Sequence, residues 1–172
     1  MLSKLTGPTG KVFGYEIDAE LADQAARNLA GLSNVSVLAE SGSEADLPEC
    51  DVIYVNAGAT DPVATWLDAL NPGGRLLFPL TPAEIGGQPA PGMMLRICNE
   101  GNAGFSARFV CAVAFTPCIG ARNSETAGRL TAAFAKGNAR EVRSLVRWSG
   151  PDESCWCEGN GWWLSTKQLQ VP

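Results

Sequence analysis

Val12-Phe-Gly-Tyr-Glu-Ile17, followed at once by Asp18 and the alternating stretch 19–30, decides how the chain is read. The apolar run follows the turn Gly7-Pro8-Thr9-Gly10 and predicts a strand over 12–17. Asp18 is placed to cap a helix over 19–30, with Leu21, Ala25, Leu29 and Leu32 on one face and Gly31 closing it. The pattern then repeats. A strand over 35–39 leads into the turn Ser41-Gly42-Ser43, and a third strand spans 51–56. Its unbroken apolar centre, Val52-Ile-Tyr-Val55, predicts burial on both faces. A short helix over 62–70, the turn Asn71-Pro-Gly-Gly74 and a strand over 75–80 complete this half. Strands that alternate with helices imply crossover units and an α/β sheet. Ligands of such sheets bind at the carboxyl ends of the strands, which are here the segments after Ile17, Ala39 and Val55.

Farther out the character changes. Segments 92–99 and 105–115 read as an antiparallel hairpin around the turn 100–104, and 123–135 as an amphipathic helix ending at Gly137. A strand over 142–148 and a small appended β element carrying Trp156, Trp162 and Trp163 follow. The 172 residues show no repeat or linker, so one domain is expected, with a cofactor-side half over 1–80 and the remainder over 81–172.

Composition removes several function classes. The net charge is −5 with no basic stripe, which disfavours nucleic acid as a partner. The longest apolar run, 109–115, is too short to span a membrane. The amino terminus lacks a signal-peptide pattern, so a cytoplasmic location is expected. There is no histidine, which removes Ser-His and Cys-His catalysis and His-ligated metals. Cys155 and Cys157 have no companions to complete a metal site, so no metal is expected. The six cysteines read as reduced, mostly core residues, and the tryptophans as core or lid packing.

Glu16 carries the first chemical signal. A carboxylate at the end of the first strand, just before a helix, accepts both hydroxyls of a ribose in nucleotide-binding sheets. Taken alone, such a residue is more often a solvated loop residue. Gly7 to Lys11 is no phosphate loop, because it precedes a strand and lacks the following Ser/Thr. A nicotinamide-dependent enzyme is the weaker alternative, since no Gly-x-Gly-x-x-Gly accompanies the strand.

The surrounding strings shift that balance. Lys11-Val-Phe-Gly-Tyr-Glu-Ile-Asp18, Asn28-Leu29 and Asn34-Val-Ser-Val37 resemble the second strand and helix of class I S-adenosylmethionine-dependent methyltransferases. Asp51 to Thr60, Trp66 to Leu70 and Asn71-Pro-Gly-Gly-Arg-Leu-Leu-Phe-Pro-Leu80 resemble the protein-L-isoaspartate O-methyltransferase branch. The strings Phe115 to Arg122 and Cys155 to Ser165 are similar to a bacterial subgroup of that family.

The resemblance implies a Rossmann-like, mostly parallel α/β sheet with a C-terminal antiparallel hairpin. It also implies S-adenosyl-L-methionine as cofactor and a protein or peptide carboxylate as methyl acceptor. Glu16 would take the ribose hydroxyls and Ile17 would pack on the adenine face. Ser41 and Gly42 would border the adenine, with Ser41 standing where the family commonly has an acid and Glu40 one position away. Asn56, Ala57 and Gly58 would end the strand that lines the transfer site.

The family's first strand and glycine-rich loop have no counterpart in these residues, so a truncated and impaired methyltransferase is expected, with a non-catalytic binding or scaffold module as the alternative. The absent strand would leave edges on 12–17 and 51–56. Three outcomes stay open: direct pairing of those strands, a segment from another chain as in a homo-oligomer, or a longer natural protein.

Overall fold

The computed structural model describes residues 2–83 and 90–169. Two compact units emerge, Met1–Asp46 and Leu47–Pro172.

The first unit is a βαβ element preceded by a one-turn helix, α1 (Leu2–Leu5). β1 (Val12–Tyr15) and β2 (Val35–Leu38) pair in parallel from Val12↔Val35 to Tyr15↔Leu38. They are joined by α2 (Ala19–Leu29). Asp18 caps α2 as expected, its carboxylate accepting the N–H groups of Glu20 (2.9 Å) and Leu21 (3.1 Å). Asn34 fastens the opposite end: its amide donates to the carbonyls of Ser3 and Gly10, and its oxygen accepts the Ser3 hydroxyl at 2.6 Å. The inward face of α2 differs from the expected one. Ala22 is buried and Leu21 is 53% exposed, because the small Ala22–Ala25 side and Leu29 lie inward.

The second unit holds a seven-stranded sheet of β3 (Cys50–Tyr54), β4 (Leu70–Leu80), β5 (Gly92–Asn99), β6 (Phe105–Val113), β7 (Ser144–Arg147), β8 (Cys155–Glu158) and β9 (Trp162–Ser165). Their spatial order is β3-β4-β5-β6-β7-β9-β8. β3 and β4 run parallel with α3 (Ala64–Asp68) between them, and all later neighbours are antiparallel. The parallel pairs and their helices realise the α/β pattern, while the antiparallel part grows beyond a hairpin. The Trp-rich end is not an appendage, because β9 pairs with β7 and so belongs to the sheet. Among the described residues, β1 and β3 are each an outer strand of their own sheet.

The turn expected at 71–74 is absorbed into β4 as an irregularity. Cys50 faces Leu70 but Val52 faces Arg75, so Asn71 to Gly74 loop out of register. Glycine permits this. Gly73 sits at φ +82°, and a Cβ on Gly74 would stand 2.7 Å from the Asn71 carbonyl oxygen.

The core lies on one face of this sheet. Leu76, Phe78, Leu80, Leu95 and Ile97 pack with Trp66 and Leu67 of α3 and with Leu130 and Ala133 of α4 (Ser124–Lys136). Trp156 stands edge-on to Phe109 (5.1 Å) and Phe134 (5.2 Å). The other face is open at β3, where Val52 is 44% and Tyr54 is 51% exposed. The expected burial of both faces therefore does not hold: Ile53 and Val55 meet the core, and the alternate side chains point away from it. No helix among the described residues is long and apolar enough to cross a membrane.

The cysteines are all free, yet only Cys157 is buried and Cys111 is exposed, which corrects their reading as core residues. Burial pushes the Cys157 thiol up to about 12, with Cys155 beside it adding to the effect. Burial likewise raises Cys50, Cys118 and Cys155. None of these four is set up to be a thiolate nucleophile near neutrality. Native alkylation should thus label Cys111 well before Cys157. Because the folded state holds the Cys157 proton more tightly, its stabilising effect is complete below about pH 8.5, the unfolded thiol value, and is lost as pH rises from there towards 12. Denaturant midpoints measured from pH 7 to 11, compared with Cys157→Ala, check this.

Candidate active site

Two strand ends carry the residues that the sequence singles out. At the first, β1 is prolonged by one rung, where the Glu16 N–H donates to the Leu38 carbonyl at 3.1 Å. Glu16 is half-buried, and its Oε1 accepts the Asp18 N–H at 3.0 Å. Its second oxygen, Oε2, has no hydrogen-bond partner among the described residues. The carboxylate is thus oriented through one of its oxygens. Ile17 beside it is 51% exposed, an apolar side chain that its own unit leaves accessible.

The turn after β2 lies at the same end of this sheet. Ser41 offers its carbonyl to the N–H groups of Glu44 (3.1 Å) and Ala45 (2.9 Å), and its hydroxyl shares a 2.9 Å hydrogen bond with Ser43. A Cβ on Gly42 would stand 3.1 Å from the Tyr15 Cβ, so the turn closes tightly on the last residue of β1. Glu16, Ile17, Ser41 and Gly42 are therefore brought together. Glu40 is exposed.

Asn56 and Ala57 belong to the second unit, at the carboxyl end of β3. Asn56 is exposed and Ala57 half-buried, while Gly58, Ala59 and Thr60 are buried. Main-chain bonds from three segments fix this loop. Gly58 receives the Cys118 N–H and donates to Thr116, both at 2.8 Å. Ala59 donates to Pro79 and accepts from Thr81, both at 2.9 Å, and Thr60 donates to Ala121 at 3.0 Å. A side chain at 58 has no room, since a Cβ would stand 2.7 Å from Thr81 Oγ1.

Two residues given no role by the sequence hold the frame. Arg122 Nη1 donates to the Gly58 carbonyl (2.9 Å) and to Thr81 Oγ1 (2.8 Å), and its Nη2 donates to the Pro82 carbonyl (2.7 Å). Asp61 accepts from Thr60 Oγ1 (2.6 Å), Thr126 Oγ1 (3.2 Å) and Trp162 Nε1 (2.9 Å). Trp162 is therefore a structural residue and not a ligand platform. The only hint in the sequence was that Arg122 closes a family-like string. Among the described residues, no three or more Cys, Asp or Glu gather as metal ligands.

Residues 1–123 match the model of the protein-L-isoaspartate(D-aspartate) O-methyltransferase family. The chain belongs to this family. All six candidate cofactor residues fall inside the matched stretch, and α4 and the strands after it fall outside. The chain is similar to the protein-L-isoaspartate O-methyltransferase of Pyrococcus abyssi, 34% identical over 113 residues that make up 63% of this chain and 50% of the relative. For the Pyrococcus horikoshii protein of the same name, identity is 32% over 115 residues, with coverage of 64% and 50%. The chain thus spans about half the length of the curated methyltransferases it matches. Among solved structures, the fold is like that of a Plasmodium falciparum chain described as a beta-aspartate methyltransferase in complex with S-adenosyl-L-homocysteine. That match has a TM-score of 0.52 at 18% identity and covers 64% of this chain and 53% of the other. Another protein-L-isoaspartate O-methyltransferase structure matches with a TM-score of 0.55 at 20% identity, covering 85% and 44%.

Proposed function

We propose that this chain holds S-adenosyl-L-methionine at the carboxyl end of β1 and β2 and serves as an O-methyltransferase towards a carboxylate of a protein or peptide. The observation that carries the reading is Glu16, a strand-end carboxylate with one oxygen tied to the main chain and the other without a partner among the described residues. Such a group suits two adjacent ribose hydroxyls. Ile17 supplies an apolar surface for the adenine, and Ser41 and Gly42 border it. Asn56 and Ala57, at the carboxyl end of β3, are assigned to the acceptor side of the reaction. When bound, the cofactor supplies a methyl group on a sulfonium.

The chain's own task in this reaction is positioning. An acceptor carboxylate is already ionised at neutral pH, so no strong base is needed and the lack of histidine is no obstacle. The loop from Asn56 to Thr60, fixed by Arg122 and Asp61, gives the acceptor side a rigid wall. The reading includes a cytoplasmic setting and self-association through the outer strands β1 and β3. One observation favours the alternative, a non-catalytic module: Ser41 stands where the family commonly has an acid, and its hydroxyl is engaged by Ser43.

Isothermal titration of the folded chain with S-adenosyl-L-homocysteine tests the proposal, with saturable, weak binding expected. No heat from this chain, nor from a version extended by a family glycine-loop segment, would overturn it. Methyl transfer by this chain would remove the non-catalytic reading.

A further inference from the structure

The outer face of the sheet carries a feature unrelated to the cofactor residues. In register across β5 and β6, Arg96 stands directly opposite Arg108. Like charges in that relation repel, and sheets ordinarily avoid the pairing. Both side chains line a cavity of about 200 Å³ together with Arg143, Cys98, Ser106 and Glu100. Arg96 Nε is buried and has no hydrogen-bond partner, the one such side-chain atom among the described residues. A buried donor left unpaired in a native structure needs an explanation.

The surroundings do not supply one. Arg129 and Arg147 have carboxylate partners, in Glu125 and Asp68, but no ion pair reaches Arg96, Arg108 or Arg143 among the described residues. Arg143 spends Nη1 on the carbonyls of Arg140 (2.6 Å) and Val142 (2.9 Å), which fixes its place without neutralising it. Among the described residues, the one acid lining the cavity is Glu100, and one of its oxygens accepts the Ser106 hydroxyl at 2.6 Å. Three guanidinium groups therefore face one carboxylate, in a chain whose net charge is −5.

We infer that this cavity is an oxyanion-binding site. A phosphate or carboxylate group would lie between the Arg96 and Arg108 forks, whose paired N–H groups match two oxygens of such an anion, and a small turn of the Arg96 side chain would bring its buried Nε–H to the same anion. It would relieve both the like-charge contact and the unpaired donor. The volume suits an inorganic oxyanion or one acidic side chain, and the Glu100 charge sets a limit on how tightly either is held. Nothing here depends on the methyltransferase reading.

The test follows the arginine Nε–Hε cross-peaks of the 172-residue chain by NMR at low salt. Inorganic phosphate is titrated in one arm and a capped Glu-Glu dipeptide in the other. The expected result is a saturable shift of the Arg96 signal, with apparent affinity lowered tenfold or more in Arg108→Gln and unchanged in Arg75→Gln. Arg75 is exposed, pairs in register with Cys98 and does not line the cavity. Saturation by phosphate assigns a free oxyanion, and saturation by the dipeptide alone assigns an acidic segment. Arg108→Gln should also raise the thermal midpoint without anion and abolish the rise that anion produces in the parent chain. A linear shift shared with Arg75, an affinity that Arg108→Gln leaves intact, or no shift in either arm would overturn the site. Arg108 is exposed, so Arg108→Gln leaves the fold intact and reports on the site.

Discussion

Arg122→Ala should lower the unfolding free energy by about 3–4 kcal/mol, the largest effect expected of any side chain around the loop after β3. Its guanidinium makes three hydrogen bonds, to the carbonyls of Gly58 and Pro82 and to the Thr81 hydroxyl, all part-buried. Hydrogen bonds from a charged donor contribute roughly 1.5–3 kcal/mol each, but bonds from one group do not add in full. The Gly58 carbonyl would keep its Cys118 N–H, so truncation orphans the Pro82 carbonyl most severely. Arg122→Lys should recover about half of the loss, because an ammonium can reach some of these acceptors but cannot reproduce the fork. Urea unfolding gives the answer: the midpoint should fall with little change in slope. A loss below about 1 kcal/mol, with Lys and Ala alike, would mean that the main-chain bonds hold the loop unaided.

Glu16→Gln should weaken binding of S-adenosyl-L-methionine by about 10–100-fold while leaving stability nearly unchanged. Gln keeps the shape and one acceptor oxygen, so the contact to the Asp18 N–H survives. It replaces the second oxygen with an NH₂ that cannot accept a ribose hydroxyl, and it removes the charge. The expected loss corresponds to roughly 1.5–3 kcal/mol for a hydrogen bond to a charged group. Glu16→Asp keeps the charge but shortens the reach by one methylene, and it should fall between the two. An affinity within about twofold of the parent for Glu16→Gln would show that the ribose lies elsewhere.

Local chemistry was legible wherever it was self-contained. Asp18 could be read as a cap because capping needs only the next three residues, and Gly73 and Gly74 as a break in regular backbone, though not as one lying within β4. The position of Glu16 at the strand-to-helix step was legible for a similar reason. The face of α2 was misjudged by one residue, Leu21 against Ala22, since helical spacing alone does not say which of two adjacent stripes meets the sheet. The openness of Val52 and Tyr54 was hidden too, because an apolar strand reads the same whether or not a neighbour covers its second face.

Long-range partners escaped the sequence entirely. Arg122 meets Gly58 and Pro82 across 64 and 40 residues, and it meets them at main-chain carbonyls, which every residue carries. Asp61 likewise finds Trp162 across 101 residues. The facing of Arg96 and Arg108 depends on the exact register of β5 on β6, which contains an irregularity between Met93 and Leu95. No spacing rule predicts such an irregularity.

The most direct test is a crystal structure of the chain grown with S-adenosyl-L-homocysteine. The Glu16 carboxylate is expected about 2.5–2.7 Å from both ribose hydroxyl oxygens, with the adenine against Ile17 and the turn at Ser41 and Gly42. A nucleoside bound with Glu16 pointing away from its sugar, or bound at a different strand end, would contradict it.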